Sequence, residues 1–350
     1  MNKFIITIFS IVVFGVVSNP NVHAQTRSGS TVANFLTVGM GATGTSLGHA
    51  YTASVYGAES MFWNPAGIAR TGDLSYSSGS LNMSYFDWFA DISMYNSALA
   101  FKINQSASIG FNISYVNYGQ MEITTVDVPT GVGTTFGAYD LSFGVTYASK
   151  LTQNFHFGGT AKLIRQSIWD MSAQTIAIDL GFILETEYLN GMTIGATISN
   201  FGGKMQMQGI NTDLFADIDP TSEGNNPDTP VTVKTDEWDL PLSFKFGFAI
   251  PVIKTEYLTY NVMSDIQQTN DNNLNFDFGN QLMFTTKSVQ FTVNGGYKDF
   301  LLEDNVDSHF TYGVGVRLRV AKSTNVAFNI SQVPFSYLGN TRMVDFKVFF

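Results

Sequence analysis

Two glycine-rich spellings near the N-terminus are the first places where this sequence could do chemistry. Gly39-Met40-Gly41-Ala42-Thr43-Gly44 matches the G-x-G-x-x-G turn that cradles a dinucleotide pyrophosphate. Gly44-Thr45-Ser46-Leu47-Gly48 matches the G-x-S-x-G turn that presents a nucleophilic serine. The first needs the preceding strand of a βαβ unit and, about 20 positions further on, an acidic residue in a second strand, and neither element is expected here. The second needs an α/β sheet with an acid and a histidine behind it. Both therefore read as chance products of a Gly-rich segment. His49, His156 and His309 are far apart and form no H-E-x-x-H pair, so no metal site is expected. The chain has no cysteine, which excludes disulfides, thiolate chemistry and lipidation at cysteine. No enzyme, no cofactor and no nucleic-acid partner is expected.

Charge offers two further candidates. Lys162, Asp179, Lys245, Asp277, Arg317 and Arg319 all stand on the polar side of alternating segments. They either line a polar path or pair with one another and with whatever fills the space between them. In 211–239, Asp213, Asp217, Asp219, Glu223, Asp228, Asp236, Glu237 and Asp239 face Lys234 alone, which supplies −7 of the chain's −10. Clustered carboxylates can hold calcium, but no EF-hand spacing exists, and a solvated flexible loop is the expectation.

The elements that would position these residues are strands. Ile109, Phe111, Ile113 and Tyr115 alternate with Ser108, Gly110, Asn112 and Ser114. Phe244, Phe246 and Phe248 alternate with Ser243, Lys245 and Gly247, and Tyr312, Val314, Val316 and Leu318 with Gly313, Gly315, Arg317 and Arg319. Successive strand side chains point to opposite faces, so each segment has one apolar face and one that is polar or tiny. A soluble barrel would turn the apolar face inward and load the outside with charge. Here only 13% of residues are charged, and the polar face is mostly Gly, Ser, Thr and Asn. Small polar residues suit a watery or crowded lumen, and Phe and Leu suit lipid.

Fourteen strands are predicted, at 73–80, 92–103, 106–117, 139–151, 154–166, 174–187, 191–200, 240–252, 255–266, 274–285, 289–298, 310–321, 325–332 and 341–350. Tight connections alternate with longer ones (81–91, 118–138, 167–173, 201–239, 267–273, 299–309 and 333–340), as in an up-and-down transmembrane barrel with short periplasmic turns. The fold class is all-β: a transmembrane antiparallel barrel with a short helical or Gly-rich hatch in the lumen. Residues 1–24 read as a signal peptide, with Lys3, the apolar run Phe4 to Val17 and a cleavage site at Val22-His23-Ala24. Residues 25–72 form the hatch and 73–350 the barrel, placed in the outer membrane. Phe346, Val348 and Phe350 close the last strand and resemble the assembly signal that barrel assembly machinery reads. Phe86, Trp88 and Phe89, placed in the first outer loop, are the candidate partner surface.

One resemblance runs through nearly all of the chain after the signal. Phe35-Leu36-Thr37-Val38-Gly39-Met40-Gly41-Ala42, Leu47-Gly48-His49-Ala50-Tyr51 and Trp63-Asn64-Pro65-Ala66-Gly67-Ile68-Ala69 resemble the opening of the PorV/PorQ family. Ala138-Tyr139-Asp140-Leu141, Val333-Pro334-Phe335 and Leu338-Gly339-Asn340-Thr341 continue it. His49 departs, standing where that family usually has a small residue. The resemblance implies a branch of the FadL-like barrels, with fourteen strands and an N-terminal hatch. It also implies a role beside type IX secretion, with secretion components or secreted cargo as partners. The wider FadL-like group implies instead passive transport of hydrophobic or small solutes. In the shared element, Pro65 pushes Asn64 out of the helical region and Gly67 permits a sharp turn. Asn64, Pro65, Ala66 and Gly67 are thus expected to end the hatch helix and steer the chain into the first strand.

Overall fold

Alternation of this kind closes on itself. In the computed structural model, which describes residues 29–72, 78–217, 221, 228–300, 309–335 and 339–350, fourteen antiparallel strands form one barrel. The predicted signal peptide 1–24 lies outside the described residues. The strands are β1 (Gly79–Asp87), β2 (Ser93–Lys102), β3 (Ala107–Glu122), β4 (Thr135–Lys150), β5 (Phe155–Ile168), β6 (Met171–Glu185) and β7 (Thr193–Gly202). After a long crossing come β8 (Ser243–Lys254), β9 (Leu258–Thr269), β10 (Asn275–Thr285), β11 (Val289–Phe300), β12 (Phe310–Arg319), β13 (Asn325–Phe335) and β14 (Gly339–Phe349). Each pairs with its neighbours in sequence, and β1 pairs with β14 from Ser80↔Phe349 to Asp87↔Arg342, which leaves no open edge. A bilayer demands that closure, because unpaired backbone polar groups in hydrocarbon each cost several kcal/mol, of order 2–7.

The faces fall as the alternation predicts. Phe244 is 49% exposed on the outside, whereas Ser243 and Gly247 are buried inside. Phe111, Phe143, Leu163, Phe291, Val314 and Phe328 continue the outward apolar band, and Asn96, Asn112, Ser142, Thr160, Asn294 and Ser331 are buried on the lumen side. No helix is long and apolar enough to cross a membrane among the described residues.

Three expectations need correction. The first strand was expected at 73–80, but it runs from Gly79 to Asp87, and 73–77 lie outside the described residues. Leu81, Met83 and Tyr85 alternate with Asn82 and Ser84 there, a pattern that Asp87 and the adjacent aromatics mask. The outer connections are also not uniformly long. β5 and β6 are joined by Trp169 and Asp170 alone, because pairing continues as far as Ile168↔Met171. Toward that turn the exposed positions include Arg165 and Gln174, so the apolar alternation fades while the backbone ladder persists. The described parts of 211–239 are paired: Asp213–Ala216 with Thr229–Thr232, and Glu237–Trp238 with Met205–Gln206.

The hatch fills the lumen. It consists of the short helix α1 (Ala42–Ser46) and the 3₁₀ turns Asn34–Thr37, Ala58–Phe62 and Pro65–Gly72. Leu47, Val55, Ala66 and Ile68 are fully buried between hatch and wall. Burying each Leu or Ile contributes about 1.5–3 kcal/mol. The two glycine-rich spellings lie in this plug, where Gly39 to Gly44 run into α1 with neither a βαβ unit nor an α/β sheet behind them.

Candidate functional site

The seat of the hatch is built from residues that lack side chains. On the lumen face of six strands stand Gly158 (β5), Gly181 (β6), Gly195 (β7), Gly279 (β10), Gly296 (β11) and Gly313 (β12). A Cβ at any of them would meet the hatch at 2.9 Å or less, for example Pro65 from Gly158 at 2.6 Å and the Thr52 carbonyl from Gly195 at 2.6 Å. Gly48, at φ +63°, approaches the β11 backbone from the other side.

Around that seat, inward polar side chains satisfy the short turns' orphan backbone N–H groups. Asp345 accepts from the Ala42 N–H at 2.7 Å. Asp265 accepts from Tyr51 and Thr52 at 3.1 and 2.9 Å, Thr311 from Gly48 at 3.0 Å and Ser80 from Ala58 at 2.8 Å. Asn64 donates to the carbonyls of Thr52 and Phe182, each at 3.0 Å, and accepts from the Ala66 N–H. Arg70 pairs with Glu185 at 2.8 Å. Lys347 bonds Glu59 directly and Thr43 at 2.7 Å, with Asp345 at 3.5 Å. Burial pushes the Glu59 carboxyl up to about 7 against the pull of Lys347. Burial, with Lys298 and Lys245 nearby, holds His49 well below the usual histidine range, so its imidazole stays neutral against Trp63.

The Asn64 element has a different job from the one expected. Pro65 opens a 3₁₀ segment rather than ending a helix, the position where its fixed φ and missing N–H cost nothing. Gly67 has no positive φ. It is small because a Cβ would meet Ser60 at 2.5 Å and the Val55 carbonyl at 2.9 Å.

Among the described residues a cavity lies on each side of the plug. The outer one, about 60 Å³, has a hatch wall of Leu36, Met40, Met61, Phe62 and Trp63 and a barrel wall of Asn112, Ser142, Lys162, Asp179, Asn200 and Lys245. The inner one, about 370 Å³, lies between Tyr51 and Tyr56 of the hatch and the inner ends of β8 to β14.

The six sequence-predicted charges therefore do not share one path. Lys162 and Asp179 form a buried ion pair at 2.9 Å, joined by Asn200, whose backbone N–H donates to Asp179 at 2.7 Å. Lys245 lies 5.1 Å from the Trp63 ring centroid. Asp277 is walled in and accepts the Asp299 N–H at 2.9 Å. Arg317 lines the inner cavity, and Arg319 is exposed at the inner rim.

The candidate partner surface also changes. Phe86 belongs to β1, is 3% exposed and stacks on Trp88, which packs inward with it. Phe89 is half-buried against Trp88. Phe346 and Val348 take the outward side of β14, and Phe350 follows it, exposed. No group of three or more His, Cys, Asp or Glu able to hold a metal ion occurs among the described residues, and Asp219 and Glu223 lie outside them.

Sequence reasoning missed Glu59, Asp265, Asp345 and Lys347. For the last two a signal was available: in Val344-Asp345-Phe346-Lys347-Val348 the two charges occupy the inward positions.

No family model matches this chain, and no curated protein matches it. Solved structures do. The CymD monoaromatic hydrocarbon channel superposes with a TM-score of 0.58 at 9% identity, covering 89% of this chain and 97% of that one. The toluene transporter TbuX of Ralstonia pickettii gives 0.54 at 12%, with 89% and 97% covered. A FadL homologue of Pseudomonas aeruginosa gives 0.51 at 8%, with 88% and 97% covered. These likenesses show the fold alone, a closed fourteen-strand barrel like that of the FadL homologue. The narrower PorV/PorQ resemblance finds no support in them.

Proposed function

We propose that this chain is a non-enzymatic channel of the outer membrane that passes small hydrophobic or partly apolar solutes passively, with the hatch as its barrier. The observation that carries this reading is the pair of cavities that one plug separates inside a closed barrel. The outer cavity has an apolar floor of Leu36, Met61, Phe62 and Trp63 opposite a polar wall. Small-molecule sites commonly combine such a lining with a few placed polar groups. Its 60 Å³ is well below the roughly 150 Å³ that accepts a benzene ring, so the conformation described is a closed one. Channels and transporters of monoaromatic compounds share the fold.

The secretion role that the PorV/PorQ resemblance implies has weaker support. Its partner surface rested on exposed Phe86, Trp88 and Phe89, of which the first two pack inward and Phe89 is half-buried.

The test is initial uptake of a labelled benzene-sized arene by intact cells that carry or lack the chain. Faster uptake with the chain, and an unchanged set of surface proteins without it, is expected. Equal uptake together with missing surface proteins would reverse the choice.

A further inference from the structure

We infer that the inner vestibule is a binding site for a small organic anion, held by Arg317. This goes beyond conduction through the outer cavity and does not depend on it. At about 370 Å³ the vestibule exceeds the roughly 150 Å³ that a benzene ring needs.

The charges that face it differ in their pairing. Arg70 is neutralised by Glu185 at 2.8 Å, and Lys347 is enclosed by Glu59 and Asp345. Arg317 and Lys254 also line the vestibule, and among the described residues neither has a carboxylate within 4.0 Å. Arg317 is held in place without being neutralised. Its guanidinium carbon lies 4.8 Å from the Phe349 ring centroid and 5.5 Å from that of Tyr56, and one N–H donates to the Tyr56 hydroxyl. A guanidinium has five N–H donors in a rigid fork that matches a carboxylate or phosphate. Fixing the fork beforehand reduces the entropy lost when an anion docks.

The wall fits an organic anion better than a bare ion. Asn261, Gln281, Gln290 and Asn329 offer amides, while Met263 and Met283 offer polarisable apolar contact. The outer cavity is too small for such a ligand, at about 60 Å³, and its Lys162 is paired with Asp179.

The test is calorimetric titration of the full-length chain in detergent micelles with benzoate, with benzyl alcohol as its neutral match and with inorganic phosphate. Benzoate is expected to bind, and both controls to bind at least tenfold more weakly. Arg317→Gln should weaken benzoate at least tenfold, Arg317→Lys less, and Lys245→Gln not at all, with heat-modifiable gel mobility confirming each fold. If Arg317→Gln does not fold, loss of affinity in Arg317→Lys carries the decision. Absence of benzoate binding, or equal binding by both Arg317 variants and the wild type, overturns the proposal. Benzyl alcohol or phosphate binding as tightly as benzoate overturns it as well.

Discussion

Asn64 of the hatch donates its side-chain N–H to the Phe182 carbonyl on β6 at 3.0 Å, and beside Phe182 stands Gly181, where a Cβ would collide with Asn64 Oδ1. The amide and the missing side chain are two halves of one joint. Asn64→Ala strips the donor from buried carbonyls and should cost about 1–3 kcal/mol. Gly181→Ala forces the joint apart and should cost a similar 1–3 kcal/mol. The double variant should lose less than the sum, because removing the amide vacates much of the space that the methyl needs. Unfolding by urea in detergent measures all three. Strictly additive losses would mean that the two residues do not share a joint.

Val293 and Thr292 are adjacent on β11, one 49% exposed on the outside and the other lining the inner vestibule. Arginine on the lipid face near mid-membrane costs about 2–4 kcal/mol, and lumen substitutions are milder. Val293→Arg should therefore destabilise the barrel more than Thr292→Arg in the same titration. The reverse order would invert the assignment of faces.

Closure depends on the last residue. Phe350 and Gly79 exchange backbone hydrogen bonds at 3.0 and 2.9 Å, and the Phe350 ring meets Phe101 on β2. Deleting Phe350 should lower the amount of barrel in the membrane and weaken its heat-modifiable shift on gels. Wild-type levels and mobility would leave the terminal aromatic without an assembly role.

Glu59 is the buried group best placed to make stability depend on pH. Its charged or titratable neighbours are Lys347, Asp345 and Tyr51, and burial raises it to about 7 from an unfolded value near 4.5. Between those values the folded chain keeps a proton that the unfolded chain has released, so this group's contribution to stability falls as pH rises. The slope is at most about 1.4 kcal/mol per pH unit. Glu59→Gln has no such proton, so from about pH 5 to about pH 7 it should lose less stability than the wild type. Identical slopes would show that Lys347 keeps Glu59 ionised throughout.

The barrel was legible because alternation is local: Phe244, Phe246 and Phe248 announce their own face whatever lies across the sheet. The plug's joints were not, because each needs two distant partners. Asp265 gains its role only when Tyr51 and Thr52 arrive beneath it, and Lys347 when Glu59 does. Gly158 and Gly181 read as ordinary small lumen residues, and nothing in their own segments tells a socket from a filler. Lys162 and Asp179 were placed on the right face, but their pairing rests on strand register, in which Thr160 rather than Lys162 stands opposite Asp179. Phe86 was misplaced because an aromatic beside Asp87 and Trp88 resembles an outer loop, and the strand pairing that reaches Asp87↔Arg342 overrides that appearance.

If the outer cavity is the constriction, trimming its hatch wall should open it. Leu36 and Met61 both line it, Leu36 only half-buried and Met61 buried against Gly110, where a Cβ would meet the Met61 sulfur at 2.5 Å. Met61→Ala should cost about 2–5 kcal/mol, as a buried Met does, and Leu36→Ala less because it is already part exposed. Both deepen a 60 Å³ space on the side that faces outward. Proteoliposome swelling in small sugars should accelerate for Leu36→Ala and further for the double variant, while the heat-modifiable shift stays that of a folded barrel. Trimming Met283 to Ala in the wider inner vestibule should leave the rate unchanged, because the barrier is not there. Acceleration by Met283→Ala but not by Leu36→Ala would move the barrier to the inner side of the plug.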